Sequence, residues 1–309
     1  MKTNDRTSFF KYVSADVAKI ILANQTLRWS SPVLFNDPFD VVRELAEGIT
    51  PSEIQECMID RIIEIIEKDE DYPAGLVPRL RLVLEPLRQS DGVHLKETVI
   101  NALKDQKINL IQESQGLNGL REEWKATLPD FRILCLSAKN DSAPMWNHYA
   151  DKYRGIVLEL LCRDDLDSPW LIAEPVQYPT ARPSLLDKAG WGKVLVLDQQ
   201  NAVKYIMHES SYTKTPDWAY EQEWRVVSFK RRGECGEYTD YKFHPLELGG
   251  IYLGPEISRE DRDDIQGLLI HDFAHVHLFE GKVSSGQYIK FERVSNPTMQ
   301  RIAEKAGSR

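Results

Sequence analysis

The stretch FRILCLSAKNDSAPMWNHYADKYRGIVLEL, residues 131–160, decides the fold class. Its two ends, FRILCLSA and GIVLEL, are nearly continuous apolar runs, the pattern of strands buried on both faces. The segment between them, SAPMWNHYADKYRG, predicts a short helix with Gly155 as its natural stop. Trp146, Tyr149 and Tyr153 follow at spacings of three and four, which makes one helical stripe of large aromatics. Such a stripe most often faces a core, and part of it can also stack on a flat ligand ring. His148 lies off the stripe.

Working outward, FFKYVS reads as a strand because aromatic and β-branched residues dominate it. SADVAKIILANQ reads as a helix capped by Ser14, with Val17, Ile20 and Ile21 on one stripe. TLRWSS is a second strand, ended by Pro32. In SSPVLFNDPFD, residues 30–40, Asn36-Asp37-Pro38 carries turn chemistry, with Phe35 and Phe39 expected to pin the turn to the core.

Residues 50–128 have a different texture. Thr50, Pro51 and Glu53 form a capping-box start, followed by Ile54, Cys57, Met58, Ile62, Ile65 and Ile66 at helical spacing. Further helical patterns run through LVPRLRLVLEPL, expected to break at Pro86, and HLKETVINALKDQKINLIQES. Towards the C-terminus WRVVSF, GGIYLG, HVHLFEG and YIKFERV read as strands, and SREDRDDIQGLLI as a helix capped by Ser258. The expectation is an α+β fold in one domain. A central β-sheet core with flanking helices spans 1–49 and 129–295, a helical insertion occupies 50–128, and a tail follows at 296–309.

The 309 residues, 42% of them hydrophobic and 28% charged, are enough for a substantial core. A formal net charge of −9 argues against a surface built to grip nucleic acid broadly. Cys57, Cys135, Cys162 and Cys235 show no paired spacing, and no window is apolar enough to span a membrane, so a cytoplasmic protein without membrane contact is expected. His271, His275 and His277 suggest zinc, but no fourth ligand has a matching spacing, and no metal is expected. The glycine-rich nucleotide motifs and the nucleophile elbow are absent.

The most chemical segment is KTPDWAYEQEWRVV, residues 214–227. Within a strand, Glu221 and Glu223 would point the same way. Two such carboxylates can raise one another's pKa or jointly face a developing positive charge. They can equally pair with Arg225 at a strand edge.

Together FFKYVS, SSPVLFNDPFD, ILCLS, MWNHYADKYRGIVL and the Trp218–Arg225 segment resemble, in that order, a bacterial family known as domain-of-unknown-function family 2971. The layout is also similar, more distantly, to the ADP-ribosyltransferase fold and its DNA-modifying toxin branch. That resemblance implies an ADP-ribosyltransferase-like sheet core that cleaves the nicotinamide–ribose bond of NAD, its substrate, and transfers ADP-ribose to an acceptor. The acceptor can be a protein, a nucleic acid or water, and a toxin or phage-defence role would follow from an essential target. Lys11 or Tyr12 falls at the first NAD-contacting position, where those enzymes carry His or Arg. Tyr149 or Ser137 falls near the second, and Glu223 falls at the catalytic glutamate with Glu221 two residues before it. Trp146 or Tyr149 would hold the nicotinamide flat, and Arg28 or Lys11 would meet the pyrophosphate. Ser30, Asn36 and Asp37 complete the candidate NAD pocket.

A second reading takes Asp37, Asp40, Glu221 and Glu223 as a Mg²⁺-binding cluster of a nuclease or phosphodiesterase. No lysine follows the glutamates at the spacing that nuclease folds commonly use, and the protein is acidic. A third reading is a non-catalytic ligand-binding module that uses the same aromatic cleft. Oligomeric state leaves no mark in the sequence.

Overall fold

The structure, a computed structural model, describes residues 3–41, 45, 50–68, 71–89, 93–105, 115–180, 188–284, 286 and 288–294. The tail expected at 296–309 and the helical pattern over 106–114 lie outside the described residues. In chain order the elements begin with β1 (Ser8–Val13), α1 (Ala15–Asn24), β2 (Thr26–Ser30), α2 (Pro51–Glu67), α3 (Pro78–Gln89), α4 (Val93–Lys104) and α5 (Gln115–Thr127). There follow β3 (Phe131–Ser137), α6 (Ala143–His148), β4 (Ile156–Leu161), β5 (Glu174–Pro175), α7 (Lys188–Leu195) and α8 (Gln199–Ser211). The last are β6 (Glu223–Phe229), β7 (Tyr238–Lys242), β8 (Leu248–Leu253), α9 (Arg259–Leu268), β9 (His277–Val283) and β10 (Ile289–Val294).

The chain divides into two compact units. A sheet unit takes Met1–Leu34, Asp130–Tyr178 and Thr215–Arg309, and a helical unit takes Phe35–Pro129 and Pro179–Lys214. The fold is mixed α+β, with a large, mostly antiparallel sheet and flanking helices.

Among the described residues ten strands are found, all in the sheet unit, in the order β10-β9-β8-β4-β1-β3-β2-β7, with β6 added to β3 and β5 to β6. Among these pairings only β8 with β9 is parallel. β1 pairs with β4 over its whole length but meets β3 only at Phe10↔Ser137, while β2 meets β3 only at Ser30↔Ile133. β3 is instead bonded to β6 throughout, from Phe131↔Phe229 to Ser137↔Glu223. β1 and β2 therefore diverge along one edge of β3.

Strand alternation sorts the two faces. On one face Phe9, Val13, Leu134, Leu136, Leu158 and Leu160 pack with residues of α1 and α9, including Ile21, Leu22 and Ile265. On the other, Tyr12, Val157 and Tyr252 pack beneath Met145 and Trp146 of α6. Burial on both sides is why β3 and β4 read as nearly unbroken apolar runs. Ser14 caps α1 by accepting from the Val17 N–H, and Ser258 caps α9 in the same way from Asp261.

The link from α6 to β4 differs from expectation. The helix ends at His148, and Asp151, Lys152 and Tyr153 then take left-handed conformations at φ 44°, 53° and 69°. Gly155 is not the left-handed stop. It is required because a Cβ there would sit 2.2 Å from the Val13 carbonyl oxygen, where β1 runs close by.

The helical unit takes Pro179–Lys214 as well as Phe35–Pro129, and α7 and α8 lie in that second segment. Thr50 and Glu53 form the expected capping box at the start of α2. Met58, Ile62, Ile65 and Ile66 build its core with Leu80, Leu84 and Leu87. Pro86 does not break α3, which continues through it. Proline cannot donate to the Leu82 carbonyl one turn earlier, but Leu82 is exposed, so water can satisfy that group. Phe39 does not pin its turn to the core, being 66% exposed. The turn is held by its own chemistry: Asp37 Oδ1 accepts from the Phe39 N–H at 2.8 Å, and Asn36 Oδ1 accepts from the Asp37 N–H at 3.0 Å.

Candidate functional site: a clasped carboxylate pair beside β3

The two glutamates do not share one strand face, and this corrects the strand reading of the segment. Pro216 opens a 3₁₀ turn that runs to Glu221, Gln222 is left-handed at φ 43°, and β6 begins only at Glu223. The kink turns the two carboxylates to different partners. Three hydrogen bonds hold it against the end of β3: Ser137 Oγ to the Glu221 carbonyl at 2.7 Å, Ala138 N to the Gln222 carbonyl at 3.0 Å, and Ser142 Oγ to the Tyr220 carbonyl at 3.2 Å.

Glu221 is buried, and its Oε1 accepts from the Tyr149 hydroxyl at 2.6 Å. Its length lies in the short range for a hydroxyl donating to a carboxyl oxygen. Glu223 is buried opposite Ser137, and Arg225 grips both its oxygens, from Nε at 2.8 Å and Nη2 at 2.9 Å. Its backbone N–H donates to the Tyr178 hydroxyl at 3.0 Å. Cys135 stands across from Arg225, and its thiol pKa is pushed up by burial first and by the Glu223 charge second.

Lys11 reaches into the opening between β1 and β3, where its Nζ donates to the Cys135 carbonyl at 2.8 Å. Tyr12 donates to the Lys139 carbonyl at 2.9 Å, and burial pushes its pKa up. Trp146 is fully buried, with its indole N–H on the Asn140 carbonyl at 2.7 Å and Tyr12 set edge-on to its ring. That placement makes it a support for the segment 140–149 rather than an open stacking surface.

The other sequence candidates lie on β2 and in the helical unit. Arg28 is engaged on β7, bidentate to Asp240 at 2.9 and 3.0 Å with its guanidinium over the Tyr238 ring. Ser30 ends β2 opposite Ile133. Asn36, Asp37 and Asp40 belong to the helical unit, where Asp40 meets Lys214 at 3.5 Å with both side chains buried. Among the described residues no three His, Cys, Asp or Glu side chains gather to hold a metal ion.

Sequence reasoning missed Glu159. The register Glu223↔Ser137, Ser137↔Phe10, Phe10↔Glu159 and Glu159↔Gly250 places it on the same sheet face as Glu223. Its Oε2 accepts from the Tyr252 hydroxyl at 3.1 Å and lies over Gly250, where a Cβ would come within 2.7 Å of it. The available signal was a glutamate inside the apolar run GIVLEL, because a carboxylate in a covered strand needs a partner.

Fold and site define a mixed α+β sheet protein with a tyrosine-bonded and an arginine-bonded glutamate beside β3. Residues 145–226 match the model of the family described as Protein of unknown function (DUF2971). The matched stretch contains Tyr149, Glu221 and Glu223. No curated protein and no solved structure matches the chain.

Proposed function

We propose that the sheet unit has an ADP-ribosyltransferase-like core that cleaves the nicotinamide–ribose bond of NAD. ADP-ribose then passes to a protein or nucleic-acid acceptor, or to water. The observation that carries this reading is the Tyr149–Glu221 hydrogen bond set beside the arginine-held Glu223. In the reaction the C1′–N bond breaks, its electron pair leaves with nicotinamide, and the ribose passes through an oxocarbenium-like state. Glu223, held as a carboxylate by Arg225, stabilises that positive charge and accepts from the ribose 2′-hydroxyl. Glu221, oriented by Tyr149, takes the proton of the attacking acceptor as its oxygen or nitrogen bonds C1′. The Lys11 ammonium has donors left beyond its bond to Cys135 and meets the pyrophosphate. An activity of this kind directed at an essential target would make the protein a toxin or a phage-defence effector.

The test is incubation with NAD and with protein and nucleic-acid acceptors, following nicotinamide release and ADP-ribose adducts. Wild type is expected to release nicotinamide, and Glu221→Gln to lower the rate by about 10² or more. If wild type neither binds nor consumes NAD with any acceptor, the reading is overturned.

A further inference from the structure

On the face of the sheet that carries α6, Tyr153, the last of three left-handed residues, lines an open cavity of ≈ 380 Å³ together with Asp141, Glu256, Val283, Tyr288 and Ile289. Two tyrosines wall it, Tyr153 and Tyr288, with Val283 and Ile289 as its apolar side. Its charged groups are the carboxylates of Asp141 and Glu256, and no described residue lining it is a cation. The walls are fixed from several elements. The Tyr153 hydroxyl donates to the Ala143 carbonyl at 3.1 Å, Glu256 N donates to the Tyr153 carbonyl at 3.2 Å, and Ser284 N donates to the Tyr288 carbonyl at 2.9 Å. Three consecutive left-handed non-glycine residues cost roughly 1–2 kcal/mol each. The sheet unit accepts that strain in the turn that aims Tyr153 at the cavity.

Aromatic faces and carboxylates without a resident cation favour a positively charged guest. A planar guanidinium fits this combination better than an ammonium, because it is weakly hydrated, stacks on a tyrosine ring and presents paired N–H groups to a carboxylate. The apolar side formed by Val283 and Ile289 suits a short alkyl stem. We propose that this cavity binds a guanidinium group carried on an alkyl stem, either as an arginine side chain or as a free guanidine compound. None of its lining residues is Tyr149, Glu221, Glu223 or Arg225, and the proposal does not depend on NAD chemistry.

Isothermal titration with agmatine, with a blocked Gly-Arg-Gly peptide, with the matching citrulline peptide and with n-butylammonium tests it. Saturable 1:1 binding of agmatine is expected, with weaker binding of n-butylammonium and none of the neutral citrulline peptide. Binding of the arginine peptide as well as agmatine assigns a residue in a chain as the guest, and binding of agmatine alone assigns a free compound. Asp141→Asn, Glu256→Gln and Tyr288→Ala should each weaken binding about three- to fivefold or more at unchanged melting temperature. No saturable binding of either guanidine ligand at millimolar concentration overturns the proposal. Equal affinity for n-butylammonium, or no effect of these three substitutions, also overturns it.

Discussion

Arg225 holds both carboxylate oxygens of Glu223, at 2.8 and 2.9 Å, with the guanidinium fully buried and the carboxylate nearly so. Removing one partner leaves the other charged group buried without it. Glu223→Ala is therefore expected to destabilise the protein by about 3–5 kcal/mol. Replacing both residues with apolar ones of similar volume should recover much of that loss. Urea unfolding of the single and double variants measures it, and a loss below about 1 kcal/mol for Glu223→Ala would show that the pair contributes little to the fold.

Tyr149 and Glu221 make the contrasting pair. Tyr149→Phe keeps the ring and deletes the hydroxyl that donates to Glu221 at 2.6 Å. The expected cost in stability is about 1.5–3 kcal/mol, as for a hydrogen bond to a charged group. If the pair acts on NAD as proposed, nicotinamide release should fall about tenfold or more, mainly in kcat. A stability loss with an unchanged kcat would leave Tyr149 as a structural prop.

Two glycines should respond in opposite directions to alanine. Gly155→Ala drives a Cβ to 2.2 Å from the Val13 carbonyl and so must separate β1 from the start of β4, with a large loss in melting temperature. Gly119 of α5 is exposed, and no described atom lies within 4 Å of an added Cβ. Gly119→Ala should stabilise by about 0.5–1 kcal/mol. Thermal melts of the two variants decide the matter, and a neutral Gly155→Ala would contradict the close approach of the strands.

The hydroxyls of Tyr12 and Tyr252 have pKa values raised above their ordinary 10.0, in both cases chiefly by burial, with the Glu159 charge adding to the effect at Tyr252. The unfolded chain loses these protons near pH 10, whereas the folded protein retains them at higher pH. The stability that they contribute is thus complete below pH 10 and is lost as the pH rises above it. Denaturation midpoints across the alkaline range should fall less steeply for Tyr252→Phe than for wild type. Superimposable profiles would remove the phenol from the account.

The cysteines should separate by reactivity. Cys235 is exposed, whereas the Cys135 thiol is held protonated by burial and by the adjacent Glu223 carboxylate. Alkylation of the native protein at mild pH should label Cys235 first and leave Cys135 unlabelled until unfolding, as peptide mapping would reveal. Early labelling of Cys135 would mean that its surroundings open readily.

Local elements were legible in the sequence wherever one short segment determined them. Ser14, Thr50 with Glu53, and Ser258 announced their helices because a capping side chain bonds backbone only three residues away. The strands β3 and β4 announced themselves because burial on both faces leaves no polar alternation. The tertiary structure alone decided what depends on residues far apart in sequence. The left-handed Gln222 that parts Glu221 from Glu223 is held by Ser137 and Ala138, and the use of Gly155 is set by the Val13 carbonyl. Glu159 joins the site face only through pairing across β3, β1 and β4. Local sequence governs backbone propensity and side-chain spacing, whereas the partner of a buried charge is chosen by which strands the fold brings together.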